Sequence, residues 1–404
     1  MRAGDTVRSA EAVSVLGSRA MRGPLQDLLR SRGMRLEHWE HLRSHHRPGG
    51  TVAALYRVRC SRPGAEAPLT LHIGAATGTA DEPAGPHATR ALIAGISLQL
   101  WLHPHDPVLL SLPWACDGAA VGADVFSSAE PAFLRLVAYR PLRRAVVQAH
   151  HTAGDAYLKL LPPADLPLLR RRHRLLEAAG VPAPPLLPVV PQRDVAVLGA
   201  LPGTSLFHLL ATDGASKVGP QTLLEVLESL PHGALALPRR RSWAERAGDY
   251  AGAAAAALPA RATEIRALAG AVAEAVAAAP AGPLVPVHGD FHEGNLLLSG
   301  GTVTGLLDVD ALGPGHRVDD LACLIGHLAV LSAANPDRPQ LADALLDYRR
   351  EFETAVEPAA LYARSAGVVL TLVAGARAGH GLSRQRSAEL RLETVQRLLG
   401  WMPQ

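Results

Sequence analysis

Lysine is almost missing from this chain. It occurs twice in 404 residues, at Lys159 and Lys217, against 38 arginines. Asparagine is as scarce, at Asn295 and Asn335 alone. Arginine, alanine, glycine and proline take up the difference, which is the bias of a GC-rich coding sequence. There, lysine and asparagine are lost wherever a substitute serves, so the survivors are the first places to look for chemistry. Lys217 in GASKVGP and Asn335 in AANPDRP have loop surroundings and read as incidental. Lys159 in DAYLKLL and Asn295 in HGDFHEGNLLL sit in or beside strand-like runs.

Other absences narrow the class. The three cysteines, Cys60, Cys116 and Cys323, are far apart and form no CxxC pair, which excludes a disulfide framework or a zinc ribbon. A formal charge of +3 gives no sign of a nucleic-acid or membrane partner. The longest apolar stretches, such as LACLIGHLAVLSAA, are short for a bilayer and include a histidine. The first residues, MRAGDTVRSAEAV, carry an early acid and no apolar run, so no signal peptide is expected. With 48% apolar residues a sizeable core is available. A soluble, cytoplasmic, globular protein is expected, with its oligomeric state open.

The pattern along the chain changes from strands to helices. PLQDLLRSRG, 24–33, reads as an amphipathic helix ending at Gly33. TVAALYRVRC, PLTLHIG and ISLQLWLHP read as strands, with a mobile loop expected at 76–88. FLRLVAYR, RRAVVQAHH and DAYLKLL form a second strand set, and a helical pattern over 165–179 stops at Gly180. The two strand sets are faintly self-similar, with His72 or a neighbour where Lys159 stands. Beyond 204 the chain reads as helical, most clearly over the Ala-rich 243–279, with brief strands at VPVHGD, NLLLS and VTGLLDVD.

The densest polar run is HGDFHEGN, and three readings compete for it. His288, Asp290 and His292 could bind zinc, with His316 in GPGHRVDD as a further ligand. The run could be an ordinary polar turn. The third reading explains more residues. Asp290 precedes Asn295 by five, the separation found in the kinase catalytic loop, and Asp308 follows at the end of an apolar run. Mg²⁺ takes hard oxygen donors, and a carboxylate and an amide on adjacent hairpin strands supply them. A nearby aspartate free of the metal can orient an attacking alcohol.

HGDFHEGNLLL…TVTGLLDVDALGPGHRVDDLACL resembles the aminoglycoside phosphotransferase and choline kinase family, whose fold is protein-kinase-like. The resemblance implies Asp290 as catalytic base, Asn295 and Asp308 as Mg²⁺ ligands, and Asp320 as the acid that braces the catalytic loop. It implies a structural His288, and leaves His292 and Glu293 as solvated variable positions. Upstream, GDAYLKLL is similar to the strand carrying a phosphate-positioning lysine, here Lys159. VAVLGALPGTSL is similar to the hinge, so the backbone at Gly199, Ala200 and Leu201 is expected to meet adenine. Two departures stand out. The helix acid that pairs with this lysine in the family falls near Leu169 or Arg170, with only Asp165 and Glu177 close by. The glycine-rich nucleotide loop is also absent, Gly154 being the single glycine in its stretch.

The fold class implied is α+β. An antiparallel-sheet lobe at 131–203 and a mainly helical lobe at 204–404 are preceded by a small α+β, cap-like module over 1–130. The expected activity is ATP- and Mg²⁺-dependent phosphorylation of a small-molecule hydroxyl, a sugar or sugar-alcohol first. An aminoglycoside or amino-alcohol ranks next, because Asp343, Asp347 and Glu351 could meet amines, although such acids more commonly form a solvated helix face. A nucleotide-binding pseudokinase acting through its N-terminal module is the alternative of another class.

Overall fold

In VAALYRVRCS the side chains alternate, and the segment is a strand, β2 (Val52–Ser61), with Val52, Ala54, Tyr56, Val58 and Cys60 on one fully buried face. Its antiparallel neighbours are β1 (Arg35–His46) and β3 (Leu69–Thr77); β4 (Ala88–Ile93) and β5 (Ile96–Leu102) complete the order β1-β2-β3-β5-β4. A helix at 11–17 and another at Arg22–Arg30 cover the buried face with Leu16, Met21, Leu25, Leu28 and Leu29. Each such side chain contributes about 2 kcal/mol of burial. Tyr56 is fully buried, and its hydroxyl donates to the Leu16 carbonyl at 2.6 Å. The helix expected over 24–33 ends three residues sooner, and Gly33 takes the left-handed turn (φ 68°) beyond it. The computed structural model describes residues 11–46, 51–64, 67–78, 87–188, 193–379 and 381–403. Most of the loop expected to be mobile, 79–86, lies outside the described residues.

A second antiparallel sheet follows: β6 (Phe133–Arg140), β7 (Arg144–His151), β8 (Gly154–Leu160) and β9 (Ala196–Gly199), in that order. Its apolar face packs with Leu109, Leu112, Val121 and Leu55 in one cluster. Asp106, only 3% exposed, ties the two sheets together. The Trp101 indole N–H on β5 donates to the Tyr139 hydroxyl on β6 at 2.9 Å, and that hydroxyl donates to Asp106 Oδ2 at 2.8 Å. The backbone N–H groups of Val108, Leu109 and Leu142 complete the shell of the carboxylate. A buried carboxylate is tolerable only when satisfied in this way.

The chain divides into two units, Met1–Leu168 with Leu186–Ala200, and Leu169–Pro185 with Leu201–Gln404. The second unit holds a three-stranded sheet of β10 (Thr204–Ser205), β12 (Leu296–Ser299) and β13 (Thr302–Leu306), and a pair formed by β11 (Leu284–Val287) and β14 (Gly313–His316). The rest is mainly helical. The Ala-rich segment forms two helices, Ala247–Ala257 and Ala262–Ala278, divided at Pro259, which cannot continue the hydrogen-bond ladder. Arg317–Ala334, Pro339–Ala355, Pro358–Leu372 and Arg384–Gly400 make the core. The window Pro358–Gly375 is long and apolar enough to cross a membrane, yet 72% of it is buried inside the protein, as in the central helix of a folded domain. The α+β class, with antiparallel sheets first and helices later, is thus the observed one.

Candidate active site

The stretch His288–Asn295 leaves β11 and turns sharply at Gly289 (φ 79°). A Cβ there would lie 3.0 Å from the Ala311 carbonyl oxygen and 2.8 Å from its Cβ, so the turn needs glycine for both reasons. Asp320, fully buried at the start of helix Arg317–Ala334, holds the turn from beneath. Its two oxygens accept the backbone N–H groups of His288 and Gly289, each at 2.7 Å. Burial pushes its carboxyl up to about 6, against the pull of His288, the two N–H donors and Arg317. His288 is also fully buried and spans the loop. Its Nδ1 accepts the Asp290 N–H at 3.3 Å, which leaves Nε2 to donate to the Leu307 carbonyl at 2.9 Å.

Asp290 is half-buried, and its Oδ1 accepts the Trp243 indole N–H at 2.9 Å. Five residues on, the Asn295 amide nitrogen donates to the Asp290 carbonyl at 2.9 Å, which turns the amide oxygen away from that carbonyl. Asn295 enters β12, and Asp308 follows β13, whose Leu306 faces Leu296. The Leu307 N–H donates to the Asn295 carbonyl at 2.8 Å, so the two ends adjoin. Asp308 adopts left-handed backbone (φ 52°, ψ 51°). That conformation costs on the order of 1 kcal/mol for a residue with a Cβ and gathers at functional sites. An amide oxygen and a carboxylate brought together in this way suit a hard cation such as Mg²⁺.

The zinc arrangement fails on hydrogen bonding. Both nitrogens of His288 are engaged within the loop, and His316 Nδ1 bonds the Gly282 carbonyl at 2.9 Å. Glu293 is not solvated as expected; it is 8% exposed. It lies 3.8 Å from His292 Nδ1 and 3.6 Å from His327 Nδ1 on helix Arg317–Ala334. The donor atoms of these three residues fall within 4.8 Å of one another. The two imidazoles, however, are stacked at 4.3 Å with planes 14° apart, so their lone pairs run side by side and do not converge on one ion. His292 Nδ1 also accepts the Gly294 N–H at 3.1 Å. Burial opposes charge on Glu293, but His327 and His292 outweigh it and hold its carboxyl below the usual value. Burial likewise opposes charge on His327, and Glu293 overcomes it and raises the imidazole. The cluster therefore sets a buried carboxylate of the loop against one imidazole of its own and one from the helix. His327 escaped sequence reasoning, and its one signal was a histidine interrupting LACLIGHLAV.

In the first unit, Lys159 lies on β8 at 6% exposure, opposite Val146 on β7 and Ala196 on β9. Gly199 ends β9, and the Ala200 N–H donates to the Asp155 carbonyl at 3.2 Å. Leu201 begins the long segment of the second unit. The helix Leu166–Ala178 buries Leu169, Arg172 and His173, while Asp165 just before it and Glu177 near its end face solvent. Arg172 donates to the Leu312 carbonyl at 2.9 Å. Asp343 and Asp347 are also exposed, on Pro339–Ala355.

A loop of this construction, entering a hairpin that ends in an aspartate, is that of a kinase-like phosphotransferase. Residues 142–362, more than half of the chain, match the phosphotransferase enzyme family (APH), and the chain belongs to it. It is a phosphotransferase acting on hydroxyl groups of small molecules. No curated protein matches the chain. Among solved structures it is similar to a choline/ethanolamine kinase family protein from Mesorhizobium loti, with 20% identity, 70% of this chain and 92% of that one covered, and a TM-score of 0.45. It is also similar to an aminoglycoside-3'-phosphotransferase of type VIII, with 24% identity, 59% and 93% covered, and a TM-score of 0.41. A Plasmodium vivax ethanolamine kinase is 10% identical, with 66% and 82% covered and a TM-score of 0.43. The family assignment rests on residues 142–362.

Proposed function

We propose that the protein transfers the γ-phosphoryl group of ATP to a hydroxyl of a small metabolite, a sugar or sugar-alcohol in the first instance. The observation that supports this reading is that the loop carrying Asp290 and Asn295 adjoins, through the Leu307 N–H on the Asn295 carbonyl, the end of β13 where Asp308 follows. The acceptor oxygen forms a bond to the γ-phosphorus, the bond to the ADP oxygen breaks, and the acceptor proton passes to the Asp290 carboxylate. Lys159 holds the nucleotide phosphates, and the backbone at Gly199, Ala200 and Leu201 meets adenine. Bound at Asn295 and Asp308, Mg²⁺ supplies neutralising charge for the phosphates. Residues 1–130 are read as a cap-like module, 131–203 as the nucleotide lobe and 204–404 as the acceptor lobe.

Asp343 and Asp347 are exposed and Glu351 half-buried on their helix, so these acids are open to amines and an aminoglycoside or amino-alcohol is the second acceptor class. The lack of an inward acid on Leu166–Ala178 favours the pseudokinase alternative. A screen for ADP release with ATP, Mg²⁺ and panels of sugars, amino alcohols and aminoglycosides separates these. A sugar or polyol should stimulate turnover, and Asp290→Asn should remove about 10²- to 10⁴-fold of it. Nucleotide binding without turnover on any acceptor supports the pseudokinase and overturns the proposal.

A further inference from the structure

The segment after the short turn His232–Ala236 carries RRRSW, residues 239–243, and the helix that follows begins at Ala247. This strap lies along one edge of the catalytic loop. Arg240 donates to the Asp310 carbonyl at 3.2 Å. The next residue, Ala311, is the one against which Gly289 is packed, and Gly289 adjoins Asp290. Trp243 makes the direct contact, through its indole N–H to Asp290 Oδ1.

Trp243 is itself held firmly. The Arg246 guanidinium sits 5.1 Å from its ring centre and 5.3 Å from that of Tyr250, whose hydroxyl accepts from Arg246 at 2.9 Å. Glu245 closes the turn by accepting from the Ser242 N–H at 2.8 Å, while its own N–H donates to Ser242 Oγ at 3.3 Å. The charges of the strap do not balance. Residues 239–250 hold four arginines and two acids. Arg239 pairs with Glu245 at 2.7 Å and Arg241 with Asp249 at 3.1 Å. That leaves Arg240 on a backbone carbonyl and Arg246 on aromatic rings.

We propose that this strap is the acceptor-side wall of the active site. Trp243 fixes one oxygen of Asp290 so that the other takes the acceptor's proton, and the surplus of arginine selects a neutral or anionic polyhydroxylated acceptor over a polycationic amine. The inference rests on the phosphotransfer reading above and adds to it a positioning residue and a charge rule. A carboxylate with two unrestrained oxygens would spread over orientations; one held at Oδ1 presents Oδ2 in a single direction, which is what a base within hydrogen-bond reach of its proton requires. A cationic rim raises the free energy of an ammonium group nearby and lowers that of a phosphate or carboxylate.

Water can serve as acceptor, so the positioning role is measurable before any substrate is identified. ATP hydrolysis by Trp243→Phe should fall about tenfold in kcat with the KM for ATP unchanged, because a hydrogen bond to a charged group is lost while the ring remains. Trp243→His, which restores an N–H donor, should recover part of that loss. A wild-type rate in Trp243→Phe overturns the positioning role, and so does a loss His cannot rescue, since that would reflect the ring's bulk alone. For the charge rule, calorimetry in the presence of ADP and Mg²⁺ compares glucose, maltose and inositol with neamine and kanamycin. Neutral polyols should bind the wild type better, and Arg240→Glu should shift the preference toward the amines by about tenfold. Tighter binding of the amines by the wild type, no binding of any neutral polyol at millimolar concentration, or a preference unmoved in Arg240→Glu overturns it. A wild type that binds no nucleotide would instead remove the phosphotransfer reading, and this proposal with it.

Discussion

The first unit contains two antiparallel sheets that start alike and end differently. β1-β2-β3 and β6-β7-β8 are both three-strand meanders, and the third strand carries a basic residue in each, His72 fourth in its strand and Lys159 sixth in its own. His72 stands opposite Arg57, with its ring 6.3 Å from that of His103. Burial lowers its basicity, and Arg57 and Arg43 lower it further. Lys159 stands among apolar cross-strand neighbours, Val146 and Ala196. One sheet thus sets its basic residue opposite another basic side chain, while the other sets a lysine opposite apolar ones. What differs is the kind of side chain that faces the basic residue across the ladder. Beyond the third strand the orders part, since β3 is followed in space by β5 and β4, and β8 by β9 alone.

The largest effect that tests this contrast is expected from Lys159→Arg. Arginine stands where lysine could almost everywhere else in the chain, but its planar fork would not reproduce the geometry of a compact ammonium on a phosphate. Steady-state kinetics should show the KM for ATP or the turnover worsening at least tenfold, about 1.4 kcal/mol. His72→Ala should leave both within about twofold, as expected of a residue away from the chemistry. Equal losses in the two variants would erase the distinction between the sheets.

A middle-sized effect concerns what joins them. Tyr139→Phe removes the hydroxyl between Trp101 and Asp106 and leaves both buried polar groups short of a partner. Denaturant unfolding should show a loss of about 1–3 kcal/mol, with nucleotide affinity little changed. An unchanged midpoint would mean that the sheets hold together without this polar link. The smallest effect is expected from Lys217→Arg, which should alter stability by less than about 0.5 kcal/mol and leave turnover alone. A loss matching that of Lys159→Arg would show that lysine scarcity does not mark the site.

Local patterns carried much of this in advance. HGDFHEGNLLL announced a turn entering a strand, and the brief strands around it are β11, β12 and β13. What stayed hidden was non-local. Trp243 lies 47 residues before the aspartate it touches, and no short spacing marks it. Tyr139 and Asp106 meet across 33 residues. β1 was missed for a different reason: bulges between Leu36 and His38 and between His41 and Arg43 break the two-residue alternation that identifies a strand. Glu293 misled because a charged residue next to glycine reads as solvated, while its burial depends on a histidine from a distant helix.

The central claim is that Asn295 and Asp308 hold a cation for a bound nucleotide. Calorimetry of ATP binding with and without Mg²⁺, on the wild type and on Asp308→Ala, tests it most directly. The account predicts that Mg²⁺ tightens binding to the wild type by about tenfold or more, and that Asp308→Ala loses this gain while still binding the nucleotide. Nucleotide affinity indifferent to Mg²⁺ in the wild type, or a metal gain that survives in Asp308→Ala, would contradict it.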